Sequence, residues 1–122
     1  MILDIYAEEI IDRFKNPHNF GAIEGADFEA EEYNPLCGDR IKLQIKKENG
    51  KIIAKFSGQG CAISQASSDI LCDCAKAKTL AELKTMQDED ILNLLGIKIT
   101  GTRLKCALLG LWALRSALKN GN

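Results

Sequence analysis

The sequence has no apolar run near the ~20 residues that a membrane-spanning helix needs. It has no excess of charge either: 16 lysines and arginines stand against 17 aspartates and glutamates, a formal net charge of -1. Both signs are interspersed, which excludes a broad basic surface for nucleic acid. The first nine residues carry Asp4, Glu8 and Glu9 and no basic cluster, so no secretory signal is expected there. Internal repeats, low-complexity stretches and any Cys-x-x-Cys knuckle are lacking. There is a single histidine, His18, in a loop beside Asn19 and Gly21; an exposed polar role is expected for it rather than a ligand role. The Gly58-Gln59-Gly60 pattern is followed by no Lys-Ser/Thr pair, which removes a phosphate-binding loop.

What is present is five cysteines in 122 residues. An odd number in a signal-free chain points to a reducing compartment, with a cytoplasmic location expected and the thiols available for metal or sulfur chemistry. The length suits one domain over residues 1–122, with enough core to fold without disulfides.

Residues 4–15 read as an amphipathic helix with Asp4 as its N-cap. Ile5, Ile10, Ile11 and Phe14 fall mainly on one side, and Glu8, Glu9, Asp12 and Arg13 on the other. Asn16-Pro17 ends it, because a residue before proline avoids helical geometry. Three strands follow. Residues 27–33 are rich in glutamate and alanine. Residues 40–47 alternate Ile41, Leu43 and Ile45 against Lys42, Gln44 and Lys46. Asn49-Gly50 is a two-residue hairpin turn into residues 51–57, whose apolar members include Ile53 and Phe56. The result is an antiparallel sheet with one buried face. Helices are expected over 62–77, 80–86, 88–95 and about 103–119. Thr79 and Glu82 make a capping-box pattern, and Gly96 stops the helix before it. Thr100-Gly101-Thr102 makes a break, and Leu104, Leu108, Leu111, Trp112 and Leu114 mark the last helix as the central packing element.

The chemistry centres on Asn34-Pro35-Leu36-Cys37-Gly38-Asp39-Arg40. In an extended backbone, Cys37 and Asp39 face the same spot. A side chain at Gly38 would crowd it, and glycine also lets the backbone bend. A soft sulfur beside a hard oxygen suits a metal that must be held and later released. A tight turn around a buried structural cysteine fits the stretch equally well, and the other cysteines decide. Cys61 stands at the start of a helix, and Cys106 in the first turn of another with Lys105 adjacent. Both places favour thiolate over thiol. Cys72 and Cys74 point nearly opposite ways on one helix. Cys74 shares the core face with Ile63 and Ile70, while Cys72 lies ~16 Å along the axis from Cys61, so both are expected to be structural. Cys37, Cys61 and Cys106 each sit where an element begins. With Asp39 they would make a four-ligand set.

The chain resembles the U-type iron–sulfur cluster assembly scaffolds: IscU, SufU and the N-terminal domain of NifU. The resemblance runs from Tyr6-Ala7-Glu8 and Asn16-Pro17-His18-Asn19-Phe20-Gly21 through the Cys37 stretch. It continues in Gly58-Gln59-Gly60-Cys61-Ala62-Ile63-Ser64 and Ala66-Ser67-Ser68-Asp69, and ends at Arg103-Leu104-Lys105-Cys106-Ala107 and Leu111-Trp112. It implies an α+β fold of the SufE/NifU-like type, a three-stranded antiparallel sheet packed against about five helices. It also implies a scaffold or carrier, not an enzyme. Such a scaffold accepts persulfide sulfur from a cysteine desulfurase, builds a [2Fe-2S] cluster on Cys37, Asp39, Cys61 and Cys106, and hands it to apo-proteins. Thiolates are the usual cluster ligands, and Asp39 would be the weak ligand that eases release. Cys106 is the expected sulfur acceptor, with Lys105 and Gly38 as modulating neighbours. Tyr6 matches a tyrosine implicated in contact with the desulfurase or a second subunit, and a homodimer sharing one cluster belongs to the same picture. Cys72 and Cys74 have no counterpart in the family's motif.

The chain departs from that family in two places. The IscU branch has histidine before its third cysteine, where Lys105, with Asn34-Pro35 and Arg40-Ile41, looks like SufU; the Cys61-to-Cys106 segment is too short for the insertion usual in SufU. The two prolines that a dedicated Hsp70 chaperone recognises in IscU are replaced by Gly101-Thr102-Arg103-Leu104-Lys105, so chaperone-assisted release is not carried over. The alternative function is a SufU-like zinc-dependent sulfurtransferase with Zn²⁺ on the same four residues. A purely structural zinc module is disfavoured by the acidic ligand and by a core large enough to fold without metal.

Overall fold

The computed structural model describes the backbone of residues 2–96, 98, 99, 101 and 103–120, and the side chains among these from residue 8 to residue 119. The described residues form α1 (Ile2–Lys15), β1 (Phe28–Asn34), β2 (Asp39–Glu48), β3 (Lys51–Gln59), α2 (Ala62–Ala75), α3 (Leu80–Lys84), α4 (Asp88–Leu95) and α5 (Arg103–Asn120). The sheet is antiparallel in the order β1-β2-β3. This is the expected α+β architecture. None of the described helices is long and apolar enough to cross a membrane. The Tyr6 side chain, Thr100 and Thr102 lie outside the described residues.

Asn49 and Gly50 both take positive φ, 54° and 75°, the signature of a primed hairpin turn. That turn fixes the register: Glu48 faces Lys51 and Leu43 faces Phe56. Ile41, Leu43, Ile45, Ile52, Ala54 and Phe56 thereby share the buried face, and Ile53 falls on the other. That other face is not fully solvated. Gln44 is buried because the Ile23 segment lies over it: Ile23 N–H donates to Gln44 Oε1 at 2.8 Å, and Gln44 Nε2 donates to Glu29 at 2.8 Å.

The apolar face of the sheet packs against α5 and α2. Leu109, Leu111 and Leu114 are essentially inaccessible, each worth roughly 1.5–3 kcal/mol of burial. The helices α2 and α5 meet through small residues. A Cβ on Gly110 would lie 2.5 Å from Ser68 Oγ and 3.3 Å from its Cα. Ser67 Oγ donates to the Ala107 carbonyl at 2.6 Å. Cys72 is buried in this core, and Cys74 is only half-buried at its edge, the reverse of the expected depth. On a helix that is covered by both the sheet and α5, the deep stripe runs through Leu71 and Cys72.

At α3 the capping box forms as expected: Thr79 Oγ1 accepts from Glu82 N–H at 3.1 Å, and Glu82 accepts from Thr79 N–H at 2.9 Å. Gly96 caps α4 in the left-handed region at φ 70°. Asp4 lies inside α1, two residues past its start. Ile10 is buried, but Ile11 and Phe14 are 48% and 40% exposed. Among the described side chains of α1, Arg13 makes the ion pairs to α2. Arg13 Nη1 donates to buried Asp69 at 2.8 Å and to Asp73 at 2.5 Å. Asn19 N–H donates to Asp69 at 2.8 Å, Asn19 Nδ2 donates to Asp73 at 2.9 Å, and Lys76 donates to Asn19. His18 remains largely exposed, with Nδ1 3.3 Å from Asp73. Asn19 also accepts from Phe56 N–H through its backbone carbonyl at 3.0 Å, which stitches the α1–β1 connection to both α2 and β3.

Burial works upward on the Asp73 carboxyl, but hydrogen bonds from Asn19, Arg13 and His18 outweigh it and hold it at about 2. A depressed carboxylate stabilises the fold above its unfolded value and ceases to do so as pH falls through its folded value. Asp73→Asn is expected to cost about 1 kcal/mol at pH 7, after solvent screening of a side chain that is 34% exposed. Urea unfolding at stepped pH should show the gap to wild type narrowing between about pH 4 and about pH 2.

Candidate metal centre

Three junctions converge at one end of the sheet. The β1–β2 connection supplies Cys37, the first residue of β2 is Asp39, the residue before α2 is Cys61, and the first turn of α5 supplies Cys106. The Cys37 and Asp39 side chains do meet, but not by strand alternation. Residues 35–38 form a turn: Gly38 N–H donates to the Asn34 carbonyl at 2.8 Å, and Leu36 N–H donates to Asn34 Oδ1 at 3.1 Å. Gly38 is needed for its φ of 77°, whereas a Cβ there would meet nothing within 4 Å. Its expected role in keeping the spot clear passes instead to Gly60, where a Cβ would lie 2.9 Å from Asp39 Cγ and 2.5 Å from Ser64 Oγ.

Ligand atoms of Cys37, Asp39 and Cys106 all lie within 4.8 Å of one another. The Cys37 and Cys106 sulfurs are 3.5 Å apart. Asp39 is buried, with Oδ1 accepting from Cys61 N–H at 3.2 Å. Its Oδ2 is buried with no hydrogen-bond partner among the described residues. An unsatisfied buried oxygen costs about 1–3 kcal/mol, and a cation is the partner that three neighbouring sulfurs and one carboxylate would share. The donor set of soft sulfur with one oxygen fits Zn²⁺ or iron.

Cys61 borders this group without entering it. It is the N-cap of α2, and its Sγ accepts from Ser64 N–H at 3.5 Å. Ser64 was not singled out by sequence reasoning, although a cap residue followed three positions on by its amide partner is a recognisable pattern. The second cluster of potential ligands, His18, Asp69 and Asp73, is already neutralised by Arg13 and Lys76.

Burial opposes the charge of Asp39, but the surrounding Cys61, Cys106 and Cys37 thiols and the Ser64 hydroxyl outweigh it and hold its carboxyl below the usual range. Cys106 behaves oppositely to the sequence expectation. It is only 5% exposed, and burial pushes its thiol up, reinforced by Cys37, Cys61 and Asp39. The helix start and Lys105, whose side chain is exposed, do not overcome this. Lys105 instead lines a cleft of about 300 Å³ with Tyr33, Pro35 and Trp112. Cys37 and Cys61 are exposed.

Thiols that enter protonated must lose their protons to a metal. The Cys106 thiol, pushed up by burial, must give up its proton, so anaerobic zinc titration should release at least about one proton per ion, and the affinity should rise with pH. Calorimetry in buffers of different ionisation enthalpy reads that release.

A family model described as "NifU-like N terminal domain" matches residues 5–121. The iron-sulfur cluster assembly scaffold protein IscU 1 of Archaeoglobus fulgidus is 34% identical over 123 positions, covering 96% of this chain and 80% of its own. The zinc-dependent sulfurtransferase SufU of Bacillus subtilis is 33% identical over 133 positions, covering 93% and 89%. That alignment is longer than the 122-residue chain, so SufU carries residues that this chain lacks. A crystal structure of a putative cluster assembly scaffold for the SUF system from Fervidobacterium islandicum superposes with a TM-score of 0.75 at 32% identity, covering 94% of this chain and 97% of its own. With the fold, the order of the cysteines and the match over nearly the whole length in agreement, this chain belongs to the NifU-like N-terminal domain family.

Proposed function

We propose that this protein is a scaffold for iron–sulfur cluster assembly. It receives persulfide sulfur from a cysteine desulfurase; an external electron donor, a thiol or a redox protein, supplies two electrons per sulfur to release it as sulfide, which combines with iron as a [2Fe-2S] cluster on Cys37, Asp39, Cys61 and Cys106, and the cluster passes to apo-proteins. The observation that carries this reading is the gathering of Cys37, Asp39 and Cys106 within 4.8 Å around a carboxylate oxygen that has no hydrogen-bond partner among the described residues.

Each residue has a role that follows from its place. Cys37, in an exposed turn, is the ligand most open to incoming cargo. Asp39 is the harder and weaker ligand for a cluster, and so the point where release begins. Cys106 is the proposed acceptor. Its thiolate attacks the outer sulfur of the donor's persulfide; the donor's S–S bond breaks, and the donor thiolate leaves. Burial keeps Cys106 protonated until a cation held by Cys37 and Asp39 favours its thiolate. Tyr33 and Leu36, 53% and 68% exposed, flank Cys37 and offer partners an apolar approach. Tyr6 remains a proposed contact for the desulfurase or for a second copy sharing one cluster.

Anaerobic reconstitution with iron, cysteine, a desulfurase and a thiol reductant should give visible charge-transfer bands in the wild type, and these should be lost in Cys37→Ala. Asp39→Ala should hold the cluster and deliver it to an apo-ferredoxin several-fold more slowly. Absence of bands in wild type and Asp39→Ala alike would reject the scaffold reading.

A second reading, a SufU-like zinc-dependent sulfurtransferase, is favoured by Lys105 before the third cysteine and by the 33% identity to SufU. It requires stoichiometric zinc and stimulation of desulfurase turnover by the zinc-loaded protein. Turnover indifferent to zinc would dismiss it.

A further inference from the structure

We propose that Ser64 is a positioning residue that holds Cys61 back from the metal centre and so sets how readily the fourth ligand joins. The proposal rests on the site binding metal as described above.

Three ligand atoms are already gathered, and the Cys61 sulfur is not one of them. Its backbone is tied to the site, since Cys61 N–H donates to Asp39 Oδ1 at 3.2 Å. Its sulfur borders Asp39 and Cys106, but its resolved hydrogen bonds go to Ser64. Ser64 N–H donates to it at 3.5 Å, and the thiol donates to Ser64 Oγ at 3.7 Å. Ser64 Oγ in turn donates to the Cys61 carbonyl at 3.1 Å. Ser64 is fully buried, and a Cβ on Gly60 would strike both its Oγ and the Asp39 carboxylate. For the sulfur to reach an ion on Cys37, Asp39 and Cys106, it must rotate off the α2 cap and give up both contacts with Ser64. The site is thus built with three ligands in place and a fourth in reserve.

Cobalt(II), titrated anaerobically, tests this through thiolate-to-metal charge transfer, whose intensity scales with the number of bound thiolates. Wild type should saturate with three thiolates and Cys61→Ala with two. Ser64→Ala should bind cobalt about five-fold more tightly, the equivalent of one neutral hydrogen bond released. In the Cys61→Ala background, Ser64→Ala should change nothing. No tightening in a folded Ser64→Ala, or equal tightening without Cys61, would overturn the proposal. Hydrogen exchange at the Ser64 amide of the wild type is independent of any variant. It should accelerate at least about three-fold on cobalt loading as the cap is lost, and unchanged protection at three bound thiolates would overturn the proposal. A wild type that binds no cobalt would overturn this inference and the scaffold reading together.

Discussion

One hydrogen bond organises the functional end of the molecule: Cys61 N–H to Asp39 Oδ1. It joins the first residue of the central strand to the cap of α2, across the space where the other two sulfurs arrive. The carboxylate that accepts it is buried, and its second oxygen has no hydrogen-bond partner among the described residues. A fold that buries half-satisfied charge normally loses stability by doing so. Here the loss sits at the one place where a positive ion would remove it, and the surrounding thiols and hydroxyl keep the carboxyl ionised. The rest of the structure serves to keep that arrangement in register.

That register comes from two sources. The hairpin at Asn49-Gly50 fixes β2 against β3, and so places Asp39 near the end of β3 that leads into Cys61. The contact of Ser67 and Ser68 with Ala107 and Gly110 fixes α2 against α5, and so brings Cys106 to the same point. Neither involves a candidate ligand directly. Both depend on small or turn-forming residues whose value lies in letting backbones approach.

Where local pattern and tertiary environment agreed, the structure was legible in the sequence. The alternation of Ile41, Leu43 and Ile45, the hairpin turn and the Thr79 capping box are local in origin, and all three appear as read. The convergence of Cys37, Asp39 and Cys106 was legible only because each stands at a junction and because the order of motifs matches a known family. What escaped was set by neighbours distant in sequence. Gln44 is covered by the Ile23 segment. Cys72 is deeper than Cys74 because two elements press on one side of α2. Ile11 and Phe14 stay exposed on α1, whose Arg13 pairs with Asp69 and Asp73. The Cys106 thiol was misjudged for the same reason: a helix start favours its anion, but burial by the surrounding core is the stronger effect.

The tight crossing of α2 and α5 has a mechanical consequence. With serine against glycine and no slack between them, the helical side of the site cannot spread unless whole helices move. The turn at residues 35–38 lies in the open, with Gly38 in the left-handed region and nothing within 4 Å of where a Cβ on it would stand. An ion seated among these candidate ligands would face packed helices on one side and an exposed turn on the other, so its route of exit would have a direction built into the backbone.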